Sequence, residues 1–119
     1  MRRLVVAALL CLVVSPPILG QSAADEIRSL RTQSNAAIAR HDAKGVVDPL
    51  DLEYQITPGS GTLSQGRSAE SEAWATVFAH AADLVYVRTP ASIEVSASGG
   101  RAAESGTWTG SWSTSAGLQ

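Results

Sequence analysis

The spacing of apolar residues along the chain predicts two principal helices. Residues 25–40 carry a stripe of apolar side chains at helical spacing: Ile27, Leu30, Ala37 and Ile38. Residues 68–80 carry a second stripe that runs one residue past the segment: Trp74, Val77, Phe78 and Ala81. We expect a short helix over Ala43–Val47 between them, because Asp42 is a favourable N-cap and Pro49 disfavours helix just after it.

The remaining segments alternate between apolar and polar residues, as half-buried strands do. Residues 52–56 predict one strand, and a Pro-Gly-Ser-Gly turn follows it. Residues 84–88 and 93–96 predict two short strands separated by Pro90, and residues 101–112 predict the last one. Helices followed by a run of antiparallel strands indicate an α+β fold.

A Ser-Gly pair at 98–99 sets the register of the last hairpin. If it forms a two-residue turn, Ile93 lies opposite Glu104, and cross-strand partners share a face of the sheet. The face that carries Glu104 and Trp108 then matches the apolar face of the preceding strand, whereas a one-residue slip would set it against Glu94. We therefore expect Glu104 to point toward the core or a cavity.

The N-terminal segment has the layout of a secretory signal peptide. Two arginines precede an unbroken apolar run at 4–14, which is too short for a membrane helix of about 20 residues. Small residues follow, with cleavage expected after Ala24, or after Gly20 or Ser22. We predict that residues 1–24 are a leader and that the protein is secreted or periplasmic, with no membrane association after cleavage.

We predict a single domain over residues 25–119. Its charge limits the classes of partner, and its cysteine content limits the chemistry. The chain has 9 basic and 11 acidic residues, and loss of the leader arginines makes the net charge of −2 more negative. Nucleic-acid affinity comes mainly from clustered Lys and Arg, so we expect no nucleic-acid partner. The one cysteine, Cys11, lies in the leader, which leaves no disulfide or thiol nucleophile.

Four features resemble the nuclear transport factor 2-like (NTF2-like) superfamily, in particular its SnoaL-like branch known as domain of unknown function 4440. They are the opening helix with Ala36 before His41-Asp42, Gly66-Arg67 before the helix with Trp74 and Phe78, DLVYVRTPASIEVS at 83–96, and AAESGTWTGSW at 102–112. The resemblance implies a cone, in which a curved antiparallel sheet wraps around a long helix and leaves an open pocket. Relatives include isomerases, dehydratases, polyketide cyclases and binding or assembly domains, so the family alone leaves the chemistry open.

The chain departs from this family after its last motif. Family members usually continue beyond the second tryptophan with two further strands that close the cone. Here Trp112 is followed by STSAGLQ. We expect the domain to lack those closing strands, as a C-terminally truncated copy would.

Glu104 is the candidate catalytic residue. A carboxylate on an apolar, aromatic face is expected to have a raised pKa, which suits a general acid or base. The alternative is that Glu104 pairs with a nearby arginine or lies at the solvent-filled opening of the cone. Arg88 is a candidate to pair with Glu104 or to bind an anionic ligand, although Pro90 leaves its face undecided.

The candidate pocket-lining residues are aromatic or polar: Tyr54, Trp74, Phe78, Arg88 and Trp108. The aromatic ones equally suit plain core packing, and the Tyr54 hydroxyl could either orient a ligand carbonyl or bond within the core. His41 and His80 lie far apart without acidic neighbours at ligand spacing, so we predict no metal site and no cofactor.

Three functions follow in order of preference. The first is binding of a small apolar molecule in the cone. The second is a cofactor-free isomerase, dehydratase or cyclase that uses Glu104 as acid or base and Tyr54 as donor. The third is a dimerisation or accessory module that pairs with a second copy through the Ser/Thr face of the sheet.

Overall fold

The computed structural model of the protein describes residues 19–114 and 117–119, so most of the predicted leader lies outside the described residues. The chain is α+β, as predicted, with helices packed on antiparallel strands. The helices are α1 (Leu19–Ala39), α2 (Ala43–Val47) and α3 (Arg67–His80). The strands are β1 (Gln55–Ile56), β2 (Ser64–Gln65), β3 (Val85–Val95), β4 (Ala102–Ser111), β5 (Ser113–Thr114) and β6 (Gly117–Leu118).

Helix α1 is longer than predicted at its N-terminus. It begins at Leu19 instead of 25, because the residues before Asp25 include alanines and a glutamine that favour helix. The expected cleavage site after Ala24 therefore lies within α1. The helix ends near the predicted break, where His41 adopts a left-handed conformation (φ 55°) and its N–H donates to the Ile38 carbonyl at 2.9 Å. Within the described part of the chain, no helix is long and apolar enough to span a bilayer.

Helices α2 and α3 follow the prediction closely. Asp42 caps α2, since its Oδ1 accepts the Gly45 N–H at 2.9 Å. Helix α3 begins at Arg67, one residue before the predicted start, and ends at the predicted His80.

The predicted strand over residues 52–56 is mostly wrong. Of these residues, only β1 (Gln55–Ile56) forms a strand, and it pairs with β2. The Leu52 side chain is 70% exposed instead of half-buried. Asp51 explains the difference, because its Oδ1 accepts the Glu53 N–H at 2.8 Å and its carbonyl accepts the Tyr54 N–H at 3.1 Å. This local turn competes with extended pairing.

The hairpin of β3 and β4 confirms the predicted register but corrects the predicted strand break. Ile93 lies opposite Glu104, as expected. The predicted two-residue turn at 98–99 is wrong, because the Gly99 N–H donates to the Ser96 carbonyl at 2.9 Å and residues 97–100 join the strands in the same register. Pro90 does not end a strand: β3 runs through it, with a bulge between Pro90 and Ser92. Proline lacks an N–H for the ladder, and a bulge is a place where a sheet accommodates it.

The bulge resets which side chains face inward. Tyr86 and Arg88 are half-buried before it, and Ile93 and Val95 are half-buried after it. Ala91 is the extra residue of the bulge and shifts the alternation of side chains by one. The half-buried side chains before and after the bulge therefore lie on the same inner face of the hairpin.

Helix α1 covers the edge of β3 opposite β4. The Asn35 side chain donates to the Arg88 carbonyl at 2.9 Å and accepts the Arg88 N–H at 3.2 Å, as a neighbouring strand would. The core lies between the three helices and the start of β3. Its buried residues are Ala37, Ile38, Val46, Val47, Phe78 and Leu84.

Candidate functional site

A cavity of about 530 Å³ lies between α1, α3, the segment after α2 and the inner face of the hairpin. Most of its wall is apolar or aromatic: Ile27, Leu30, Val46, Leu50, Ile56, Trp74, Tyr86 and Trp108. Small-molecule sites are commonly about 300–1,000 Å³ with this kind of wall and a few polar groups. The cavity is therefore the candidate functional site.

The structure places most of the sequence-predicted residues around this cavity. Those that line it are Tyr54, Trp74, Arg88, Glu104 and Trp108. Phe78 does not line it and is a core residue instead. It lies one turn beyond Trp74 on α3, where its ring is buried and stacks on His41 with centroids 4.6 Å apart.

Glu104 forms an ion pair with Arg31 of α1. Its Oε1 accepts from Arg31 Nη2 at 2.7 Å and from Nε at 2.9 Å, and the side chains of Glu104 and Arg31 are 22% and 29% exposed. The structure thus has Glu104 facing inward and paired with an arginine, which is the alternative left open by the sequence. Sequence reasoning missed Arg31, although it follows Ile27 at i+4 and lies on the same helical stripe.

Arg88 is held by neutral groups. Its Nη2 donates to Ser34 Oγ at 2.6 Å, and its Nε donates to Asn35 Oδ1 at 3.3 Å. Among residues 19–114 and 117–119, no carboxylate forms an ion pair with it. Burial lowers the pKa of Arg88, and the positive charge of Arg31 lowers it further. The guanidinium reaches the cavity without an ion pair to the described residues, and the more distant Tyr54, Glu104 and Glu70 oppose the lowering of its pKa.

Glu70 is a second cavity residue that sequence reasoning missed. It lies in the first turn of α3, where the helix dipole favours a carboxylate. In the structure it is only 9% exposed and lines the cavity, with no ion pair or side-chain hydrogen bond to the described part of the chain. Its place four residues before Trp74 was the available signal, because positions i and i+4 share a helix face.

Tyr54 lies within electrostatic reach of both Glu70 and Arg88. Burial raises the pKa of the Tyr54 hydroxyl, and the negative Glu70 raises it further, against smaller opposing effects of Arg88 and Arg31. Tyr54 is therefore a neutral hydroxyl near neutral pH, able both to donate and to accept.

We predict that the Tyr54 hydroxyl ionises late in an alkaline titration of the folded protein. Because the pKa of Tyr54 is raised, its folded-state ionisation should occur above the ordinary value of about 10. The raised pKa of Tyr54 contributes to the free energy of unfolding. This contribution is present below about pH 10, the ordinary pKa of tyrosine, and is lost as the pH rises through the raised pKa. Ultraviolet titration of phenolate should show a late component that is absent in Tyr54→Phe, and an unchanged titration curve in that variant, apart from its amplitude, would contradict this.

Comparison with known proteins finds similarity to solved structures. No protein-family model matches the chain, and no curated protein matches it significantly. A solved structure of a proposed dehydratase from the NTF2-like family from Streptomyces avermitilis is similar over 83% of this chain and 91% of that chain, with 12% sequence identity and a TM-score of 0.48. At this level the likeness concerns the chain trace, and no residue role comes from it.

Within the described residues, no group of three or more His, Cys, Asp or Glu side chains is placed to hold a metal ion. The polar and charged side chains of the cavity wall include Arg31, Ser34, Tyr54, Glu70, Arg88 and Glu104.

Proposed function

We propose that this protein is an NTF2-like domain that binds a small, mostly apolar molecule in its cavity. The observation that carries the proposal is the wall of the cavity, which is apolar and aromatic with a few inward polar groups. The α+β architecture and the motifs at 83–96 and 102–112 support the family assignment. The leader-like start supports a secreted or periplasmic location.

Some apolar side chains at the cavity are exposed, and a bound ligand would bury them. Trp108 is 63% exposed although it lies on the inner face of the hairpin, and Leu30 is also exposed. Removing apolar surface from water stabilises a complex by roughly 25 cal/mol per Å² before the costs of association are subtracted. A flat aromatic or aliphatic body would bury both side chains.

We predict that Leu30→Trp reduces binding of naphthylethanol, a neutral apolar probe, by about tenfold or more, which is about 1.4 kcal/mol. The indole would occupy volume that the probe needs, while a helix surface position accepts the larger side chain. Isothermal titration calorimetry measures the affinity. Leu63→Trp is the matched control because Leu63 is exposed and outside the cavity wall. Equal affinities of the two variants would argue against the cavity as the binding site.

The catalytic alternative is less favoured by the geometry. This alternative uses Glu104 as the acid or base of a cofactor-free isomerase, dehydratase or cyclase, and Glu104 Oε1 already accepts two bonds from Arg31. The third alternative, pairing of two copies, would use the outer face of the hairpin, where Thr107 and Thr109 are exposed.

A further inference from the structure

The described part of the cavity wall carries four charged side chains, and only two of them neutralise each other. Arg31 and Glu104 form the ion pair at 2.7 Å. Arg88 and Glu70 have opposite charges but form no ion pair with each other or with any other described residue. Glu70 is buried and Arg88 is half-buried, and a charge that loses its remaining water without gaining an opposite charge is costly. These two groups are therefore the ones that a ligand would satisfy.

Ligands of a single charge type would leave one of these groups unsatisfied. A neutral apolar ligand would expel water and leave both Arg88 and Glu70 without a partner of opposite charge. An anion would be opposed by Glu70, and a cation would be opposed by Arg88. A ligand that carries both signs of charge satisfies both groups at once.

We propose that the cavity binds an apolar molecule that bears both a carboxylate and an ammonium group, with Arg88 as the partner of the carboxylate and Glu70 as the partner of the ammonium. This inference rests on the proposed function, because it takes the cavity as the binding site. It adds the charge class of the ligand and the residue that selects each end.

The surroundings of Arg88 and Glu70 suit these roles. Ser34 and Asn35 occupy two of the five N–H donors of Arg88 and fix its side chain, so the remaining donors are held in place for a carboxylate. Glu70 projects from the first turn of α3 and is nine-tenths buried, with its oxygens free to accept. Tyr54 lies within electrostatic reach of both, where a neutral hydroxyl can bond to either end of the ligand.

The test uses four probes that share one naphthyl body and the full chain. Naphthylalanine carries both charges, naphthylpropanoate only the carboxylate, naphthylethylamine only the ammonium, and naphthylethanol neither. By calorimetry we expect naphthylalanine to bind at least about tenfold more tightly than each of the other three, since each charge-assisted contact favours it.

Two variants separate the two ends of the ligand. Arg88→Met should weaken naphthylalanine and naphthylpropanoate by about tenfold and leave naphthylethylamine no weaker. Glu70→Gln should do the reverse, weakening naphthylalanine and naphthylethylamine. Arg101→Met and Glu72→Gln are matched controls, because both residues are exposed and lie outside the cavity wall, and they should change none of the affinities.

The outcomes distinguish this inference from the proposed function. If naphthylethanol binds as tightly as naphthylalanine, the charge assignment is overturned while binding in the cavity stands. If none of the four probes binds, both fall. Arg88 also ties α1 to β3, so circular dichroism must show that Arg88→Met is folded. Glu70→Gln conserves volume, and an unchanged preference for the ammonium in that variant would by itself overturn the inference.

Discussion

Gly106→Ala is expected to lower the free energy of unfolding by about 1–3 kcal/mol or more. A Cβ at Gly106 would overlap the carbonyl oxygen of Thr89 and lie 3.0 Å from the Cα of Pro90. These are backbone atoms of the paired strand, so no side-chain rotation can relieve the overlap. The change also falls at the bulge that orients Arg88, and we therefore expect weaker binding of naphthylethanol in the same variant.

The midpoint of urea unfolding, followed by tryptophan fluorescence, measures this effect. Gly100→Ala is the matched control on the same hairpin, because the nearest atom to its Cβ is Ser98 Oγ at 3.5 Å, an ordinary contact. That variant should be as stable as the parent or slightly more stable, since alanine reduces the entropy of the unfolded chain. Equal midpoints for the two alanine variants would mean that the hairpin backbones are not as close as described.

Ile38→Ala is expected to cost about 2–5 kcal/mol, because it removes a large side chain from the most enclosed position of the core. Ile38 is 0% exposed and belongs to the same buried cluster as Phe78 and Leu84. Domains are commonly stable by only about 5–15 kcal/mol, so this one truncation is a large fraction of the total. Thermal and urea unfolding should both show it.

Leu52→Ala provides the comparison for that prediction. The apolar pattern alone gave Leu52 a place in a half-buried strand, whereas its side chain is 70% exposed. Its truncation should therefore change the free energy of unfolding by no more than about 0.5 kcal/mol. A loss comparable to that of Ile38→Ala would restore the strand prediction for residues 52–56.

Features governed by neighbouring residues were predictable from the sequence. The pairing of Ile93 with Glu104 was predictable because only one register matches the apolar faces of both strands, although the turn itself lies at 96–99 and not at 98–99. The cap of α2 by Asp42 depends on three residues in sequence. Both predictions are confirmed for that reason.

Features that depend on distant partners were not predictable. Arg31 and Glu70 are charged, and charged residues are usually exposed, so their places on apolar stripes did not outweigh residue type. Only the fold shows that Glu104 pairs with Arg31, a residue 73 positions away, and that Glu70 faces the same cavity. The face of the hairpin on which the Arg88 side chain lies also depends on the bulge. The presence of Pro90 in the sequence did not by itself predict a bulge there.

The bulge also determines where the hairpin can gain or lose a residue. If Ala91 were deleted, Pro90 and Ser92 would become neighbours opposite Gly106 and Ser105, and the ladder would become regular without turning any side chain over. A deletion within either arm of β3 would instead reverse one arm and move Arg88 or Ile93 to the outer surface. Position 91 is thus the point in β3 where a change in chain length leaves the ligand-facing surface intact, as expected of an insertion that the sheet has absorbed.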